Sequence, residues 1–394
     1  MSLVDTSAHP SGTASGSTAD RPATRLATRL AFLVAGFGIA CWAPLVPFAK
    51  QRLAVDDGVL GLLLLCIGVG SVVAMLATGP VSARYGARPV IIGGGFGLAV
   101  LLPLLAVAPT VATLALVLLL FGASLGSIDV AMNVHAVEVE RAAARPLMSG
   151  FHALFSIGGF AGSTLVTVLL SLGLSAFAGT LLASAIMLAA MGIASPRLLR
   201  TAQAGDDPLV VVPRGIVLLL AGLAAATFLV EGAMLDWSAL LITVRHLASR
   251  DGGGLGYILF AIAMTVGRLF GDALVARIGD RTTLVAGGLL SVFGFAVLLL
   301  APVPVLALSG FVLIGLGASN LVPVLFRRAG SQRAMPPAMA ISAITTVGYA
   351  GILLGPAAIG FVSRALDLST AFAILAVLML LLPLTARIVA GPRC

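Results

Sequence analysis

The chain has 394 residues, 60% hydrophobic and 10% charged, with a formal net charge of +8. Soluble domains carry roughly 25% charged residues, so this composition excludes a water-soluble globular protein and makes lipid the solvent for much of the surface. Only Lys50 among the 23 basic residues is a lysine, and the arginines sit in short loops between apolar runs; that pattern excludes a nucleic-acid-binding stripe and marks topology signals.

Taken in chain order, residues 1–28 are rich in Ser, Thr, Ala and Gly and lack an apolar leader core, and they read as a disordered cytoplasmic tail. Apolar runs predict helices at 29–49, 59–80, 89–107, 111–136, 147–170 and 177–196. A polar stretch, 197–214, containing Asp206-Asp207-Pro208, reads as a cytoplasmic linker. Six further helices are predicted at 215–243, 255–276, 283–301, 304–326, 337–362 and 370–390. The expectation is an all-α membrane protein of twelve transmembrane helices, in an N-terminal bundle (29–196) and a C-terminal bundle (215–394). Pro44, Pro47, Pro323 and Pro356 mark expected helix breaks. Cys41, Cys66 and Cys394 have neither disulfide nor metal-ligand spacing.

With twelve spans, 17 basic residues fall on the side of both termini and 5 on the other, which predicts cytoplasmic termini. The two bundles repeat at an offset of 193 residues. Ala83-Arg84-Tyr85-Gly86-Ala87-Arg88 returns as Ala276-Arg277-Ile278-Gly279-Asp280-Arg281, and Gly94, Gly122, Ser149, Gly158 and Gly162 return as Gly287, Gly315, Ser342, Gly351 and Gly355. Two parallel repeats place a cavity on the axis between them.

An ionisable side chain inside a membrane helix costs roughly 2.5–3.5 kcal/mol and is a functional candidate by default. Asp129 lies nine residues before Glu138, or ~13 Å along the helix and close to the midplane. Asn133 follows at i+4 on the same face. Glu231 is central in the seventh predicted helix, with Asp236 and Trp237 farther along; Asp129 and Glu231 are expected to face the cavity from opposite halves and to bind a proton or a cationic solute. Trp42 and Trp237 either stack on the solute or anchor at the interface. Arg268 is followed at i+4 by Asp272, which predicts a local ion pair. His152, with Ser149 and Ser156 on its face, reads equally as a proton or solute ligand and as a packed histidine. Asn320, the 193-offset partner of Ser127, reads as a ligand contact or an interhelical hydrogen bond.

The two loop copies resemble the signature loop of the major facilitator superfamily, Gly-x-x-x-Asp-Arg-x-Gly-x-Arg, at Gly79, Ala83, Arg84, Gly86 and Arg88. Both copies carry alanine, Ala83 and Ala276, at the acidic position. Phe121 through Asn133, Ser149-Gly150-Phe151-His152 and Glu231 through Ser238 are similar to segments of the fucose-permease-like branch. That resemblance implies solute or proton binding at Asp129 and Asn133, and steadying of one conformation by Arg84, Arg88, Arg277 and Arg281 through nearby acids such as Glu138 and Glu140. The first predicted helix lacks the acid that the branch carries there.

The resulting expectation is a multi-pass protein of a bacterial inner membrane, a monomer, that moves a small, sugar-like organic solute by alternating access with proton symport. Proton-coupled efflux of an amphipathic or toxic compound is the alternative. Its partners are the solute, protons and the lipid bilayer, with no nucleic acid and no cofactor or metal. No nucleotide-binding or enzyme motif is present in the sequence, so an enzyme is not expected.

Overall fold

The computed structural model describes residues 21–55, 57–200, 213–247 and 255–391, and among these the regular structure is entirely helical. The helices are α1 (Pro22–Trp42), α2 (Val46–Leu53), α3 (Asp57–Tyr85), α4 (Ala87–Val107), α5 (Val111–Ala143), α6 (Met148–Ser171), α7 (Ala176–Ala194) and α8 (Ile216–Val244). They continue with α9 (Leu255–Leu300), α10 (Pro304–Ala318), α11 (Leu321–Ser331), α12 (Pro337–Ala365), α13 (Leu368–Met379) and α14 (Leu381–Val389). Ten helical segments among the described residues are long and apolar enough to cross a bilayer. One of them, α9, has 46 residues, a length of ~69 Å against a hydrocarbon core of about 30 Å. It bends at Gly279, whose φ of 79° and ψ of 163° are not helical, and this divides it into two rods. The 29-residue α12 is a further long helix beside the ten.

Several boundaries differ from the sequence expectation. The first helix starts at Pro22, so 22–28 belong to α1 rather than to a tail; Pro at the first helical positions is pre-set for helix and has no N–H to lose. Residues 1–20, linker residues 201–212 and Cys394 lie outside the described residues. Prolines break helices four residues upstream, where the ring meets a carbonyl. A 3-10 turn at Ala43–Leu45 precedes Pro47, the Ser319–Asn320 break precedes Pro323 and the break after Met379 precedes Pro383. At Pro356 the backbone stays helical, contrary to expectation. The starts at Thr110, Ser175 and Asp367 follow local chemistry, each side chain accepting a backbone N–H of the first turn. Donation from Thr370 also holds the exposed Asp367 carboxyl below its usual range.

The sequence repeat recurs as repeated geometry. Gly86 and Gly279 share one non-helical conformation, φ 80° and 79° with ψ 163° in both. Arg52 donates to the carbonyls of Leu105, Ala106 and Ala108 at the end of α4, and Arg245, 193 residues on, donates to the Leu298 carbonyl at the end of α9. Gly122 packs on the Ile67 carbonyl as Gly315 does on that of Phe260, and Gly94 on that of Ser124 as Gly287 does on that of Gly317. These small residues let helix backbones touch, which is how helices associate where lipid removes the hydrophobic drive between them. Two bundles, α1–α7 and α8–α14, therefore share one plan and meet along α3–α12 and α6–α9.

Candidate functional site between the halves

The halves are joined most firmly at the end carrying the basic loops. Glu140, near the end of α5, accepts from the backbone N–H groups of Leu147 and Met148 at 2.6 and 2.8 Å. The next two N–H groups of α6, Ser149 and Gly150, donate to Asp272 of the opposite half at 3.0 and 2.9 Å. Four successive donors at one helix start are thus satisfied by two carboxylates, one from each half; a helix N-terminus carries partial positive charge and attracts such groups. Arg327 of α11 forks onto both Glu140 oxygens and also meets Asp280 at 2.6 Å, while Arg328 meets Asp280 at 2.7 Å.

This corrects two expectations. Asp272 does not pair with Arg268. The arginines that engage acids here are Arg327 and Arg328 rather than the loop arginines. Arg84, Arg277 and Arg281 are exposed, Arg84 lies over the Tyr85 ring, and Arg88 donates to the Ser195 carbonyl at 3.1 Å.

The same seam occurs at the pseudo-equivalent place without the charge. Ser342 of α12 donates to the Met75 carbonyl of α3 at 2.7 Å, and it packs so closely on Gly79 that a Cβ there would fall 2.7 Å from its own. Gly79 is the 193-offset counterpart of Asp272, and Ser342 that of Ser149. One seam is a latch of two carboxylates on backbone N–H groups, and the other is a close-packed contact with a neutral hydrogen bond. Replacing Asp272 with Ala should leave two N–H groups of α6 unpaired and lower stability by about 1–2 kcal/mol, with Asp272→Asn losing less. Thermal unfolding of the purified protein in detergent checks this.

Deeper in the bundle lie the other ionisable groups. Asp129 of α5 is 9% exposed. Asn133, one turn on, donates through Nδ2 to the Asp129 carbonyl at 2.9 Å and to its carboxylate at 3.2 Å. Tyr349 of α12 lies near the same carboxylate, from the other half. Glu231 of α8 accepts from Arg268 of α9 at 3.3 Å, with side chains 20% and 7% exposed. Arg268 also donates to the Ser319 carbonyl at 3.3 Å, and to Ser156 of the opposite half at 3.2 Å. Glu231 therefore takes the role that the sequence gave to Asp272.

His152 lies between Phe32, an edge contact with ring centroids 5.1 Å apart, and Phe326, a tilted ring at 5.7 Å. Asn320 donates to the Gly267 carbonyl at 3.1 Å and to Ser319, which is the interhelical hydrogen bond among its two readings. Trp42 is buried, and its indole N–H and that of Trp237 lack a partner among the described residues. Trp237 packs beside Gly360. Asp236 is exposed and does not join the buried acids.

Sequence reasoning did not single out Tyr349. The signal was present, because Ser156 plus 193 is Tyr349. Each of the two crosses the seam to an ionisable group of the other half, Ser156 to Arg268 and Tyr349 to Asp129.

Two repeated helical bundles that meet on buried acids and a buried arginine define a membrane transport protein. The family is reached by comparison: the model of the Major Facilitator Superfamily matches residues 29–334, and the chain belongs to that superfamily. An uncharacterized MFS-type transporter of Yersinia pestis is 48% identical over 360 residues, covering 91% of this chain and 94% of that one. Among solved structures, the MFS transporter FucP in its outward conformation matches with a TM-score of 0.75 at 17% identity, covering 95% of this chain and 100% of that one. The human organic anion transporter MFSD10 matches at 0.72 and 16%, covering 93% and 100%. At such identities the structural likeness concerns the fold. The protein is a multi-pass MFS transporter.

Proposed function

We propose that this chain is a secondary carrier that moves a small polar organic solute with a proton by alternating access. In this reading both termini are cytoplasmic, the membrane is a bacterial inner membrane, and the solute site lies among Asp129, Asn133, Tyr349, Glu231 and Arg268. The observation that carries it is the placement of Asp129 and Glu231, two acids held deep in the bundle, Asp129 near Tyr349 of the other half and Glu231 joined to the other half through Arg268 and Ser156. A buried acid is costly as an ion and readily takes up a proton. A proton gained or lost there changes bonds that cross between the halves, so protonation and conformation are linked.

Three further observations support the reading. The 17-to-5 bias of basic residues makes the latched end cytoplasmic. Closure at that end corresponds to an outward-open carrier, and FucP, whose fold this chain shares, is seen in its outward conformation. FucP of E. coli is a fucose:proton symporter, and the likeness of the Asp129–Asn133 segment to that branch favours symport over efflux.

The test is uptake into proteoliposomes of known orientation, after a thermal-stability screen of sugars and organic acids has found a stabilising solute. A gradient of one pH unit sustains about tenfold accumulation of a symported solute. Asp129→Asn and Glu231→Gln should each remove that accumulation. Unchanged pH-driven uptake in both variants would sink the proton-coupling reading.

A further inference from the structure

Arg327 and Arg268 show what this chain does with an arginine in two settings. At the latched end Arg327 forks onto both oxygens of Glu140 and meets Asp280 at 2.6 Å. It is held as strong charge-assisted pairs usually are, by two parallel bonds to one carboxylate, the longer at 3.1 Å, and by a second carboxylate besides. Arg268 is more deeply buried, and every one of its contacts is long. One Glu231 oxygen lies at 3.3 Å, the Ser156 hydroxyl at 3.2 Å and the Ser319 carbonyl at 3.3 Å. The five N–H donors of a guanidinium suit a bidentate carboxylate, and Glu231 supplies a single oxygen. The more accessible member of the pair is Glu231, at 20% against 7%. Beside it His152, one turn before Ser156, buries a ring nitrogen, Nε2, that has no partner among the described residues. The Ser156 hydroxyl is already used, accepting from Arg268 and donating to the His152 carbonyl at 3.4 Å, so Arg268 and the His152 ring bring together, from the two halves, polar capacity that the protein's own groups leave partly unused.

We infer that this is a carboxylate-binding subsite, and that the transported solute carries a carboxylate which replaces Glu231 on Arg268. The inference rests on the carrier reading and narrows its solute to a small organic acid. The exchange balances without any covalent change. Glu231 takes up a proton and turns away as a neutral acid, and the solute anion takes its place against the guanidinium. One proton and one anion enter, so the net charge of the site is the same before and after. In this exchange the proton favours anion binding, because an ionised Glu231 beside Arg268 repels a second carboxylate in a buried site. His152 belongs to the N-terminal half and Arg268 to the C-terminal half, so an anion held by both also draws the halves together.

The experiment removes the resident carboxylate and supplies one from solution. Purified full-length Glu231→Ala in detergent is heated at neutral pH in sodium acetate, and in sodium chloride at the same ionic strength. If acetate at about 50 mM is roughly ten times its Kd, the melting temperature should exceed that in chloride by about 2 °C. The wild type, whose site is occupied by Glu231, should shift by less than 1 °C. In Glu231→Ala combined with Arg268→Gln the acetate effect should vanish. Should Glu231→Ala fail to fold, Glu231→Gln takes its place, since its neutral amide cannot compete for the guanidinium as a carboxylate does. Equal melting in acetate and chloride overturns the subsite, as does an acetate effect that survives loss of Arg268. If the subsite fails while pH-driven uptake of a neutral solute is still lost in Asp129→Asn, the carrier reading stands and only the solute class falls.

Discussion

Arg327→Gln is expected to open the latched end of the bundle. The side chain is 17% exposed and its partner Glu140 7%, so the substitution leaves a buried carboxylate short of its cation. Breaking a buried pair from one side costs roughly 3–5 kcal/mol, because the remaining charge is uncompensated. The cost falls on the closed state, where Glu140 also carries the Leu147 and Met148 N–H groups. A population shift of more than about a hundredfold toward opening follows from the lower figure, at about 1.4 kcal/mol per factor of ten. Ser149→Cys offers a direct reading in a background whose native cysteines are serine. Ser149 is fully buried against Gly271 and should be unreactive to membrane-impermeant thiol reagents when the latch is intact. Adding Arg327→Gln should make it react from the basic side. Unchanged protection would show that the close-packed seam at Gly79 and Ser342 keeps this end shut alone. The double variant with Glu140→Gln should be less perturbed than the sum of the two single changes, since removing both charges leaves neither stranded.

The second large effect concerns the glycines that set helix spacing. A Cβ on Gly122 would fall 2.1 Å from the Ile67 carbonyl oxygen, and one on Gly315 2.5 Å from that of Phe260. In each case the obstacle is backbone, so no rotamer relieves it and the helices must part. Gly122→Val and Gly315→Val should each cost about 2–3 kcal/mol or more through overpacking, lowering the melting temperature by roughly 2–4 °C or more in detergent. Gly222→Val is the control, because a side chain there meets open space. Matching losses at Gly122 and Gly315 would confirm that the two halves use the same contact. A neutral outcome at either would show that the spacing of that helix pair is adjustable.

Much of this was written locally. Apolar runs of bilayer length predicted the helices, because lipid leaves a spanning backbone no alternative to internal hydrogen bonds. The offset of 193 residues paired Gly86 with Gly279 and Gly122 with Gly315, whereas the matching clasps of Arg52 and Arg245 emerged only from the folded chain. Burial of Asp129 with Asn133 at its side also followed from position along one helix. The first turn of α1 was not legible, since Arg25 and Arg29 disguise 22–28 as a polar tail although the Pro22 start favours helix.

What tertiary structure alone decided is where each charge turns. Arg268 and Asp272 stand one turn apart on α9, and by sequence they are each other's nearest opposite charge. In the folded chain Arg268 is drawn to Glu231 on α8, and Asp272 to two unpaired N–H groups at the start of α6. A local pair on one helix offers only a few tenths of a kcal/mol, whereas unmet N–H donors or a lone acid buried between halves cost several times as much. Which of these competing demands exist depends on which helices face one another, and that is set by packing across the whole chain. The sequence by itself determined a repeated helical membrane bundle with acids at its centre. Only the assembled halves determined that Tyr349, Ser156 and Arg327 reach across to the charges of the other half.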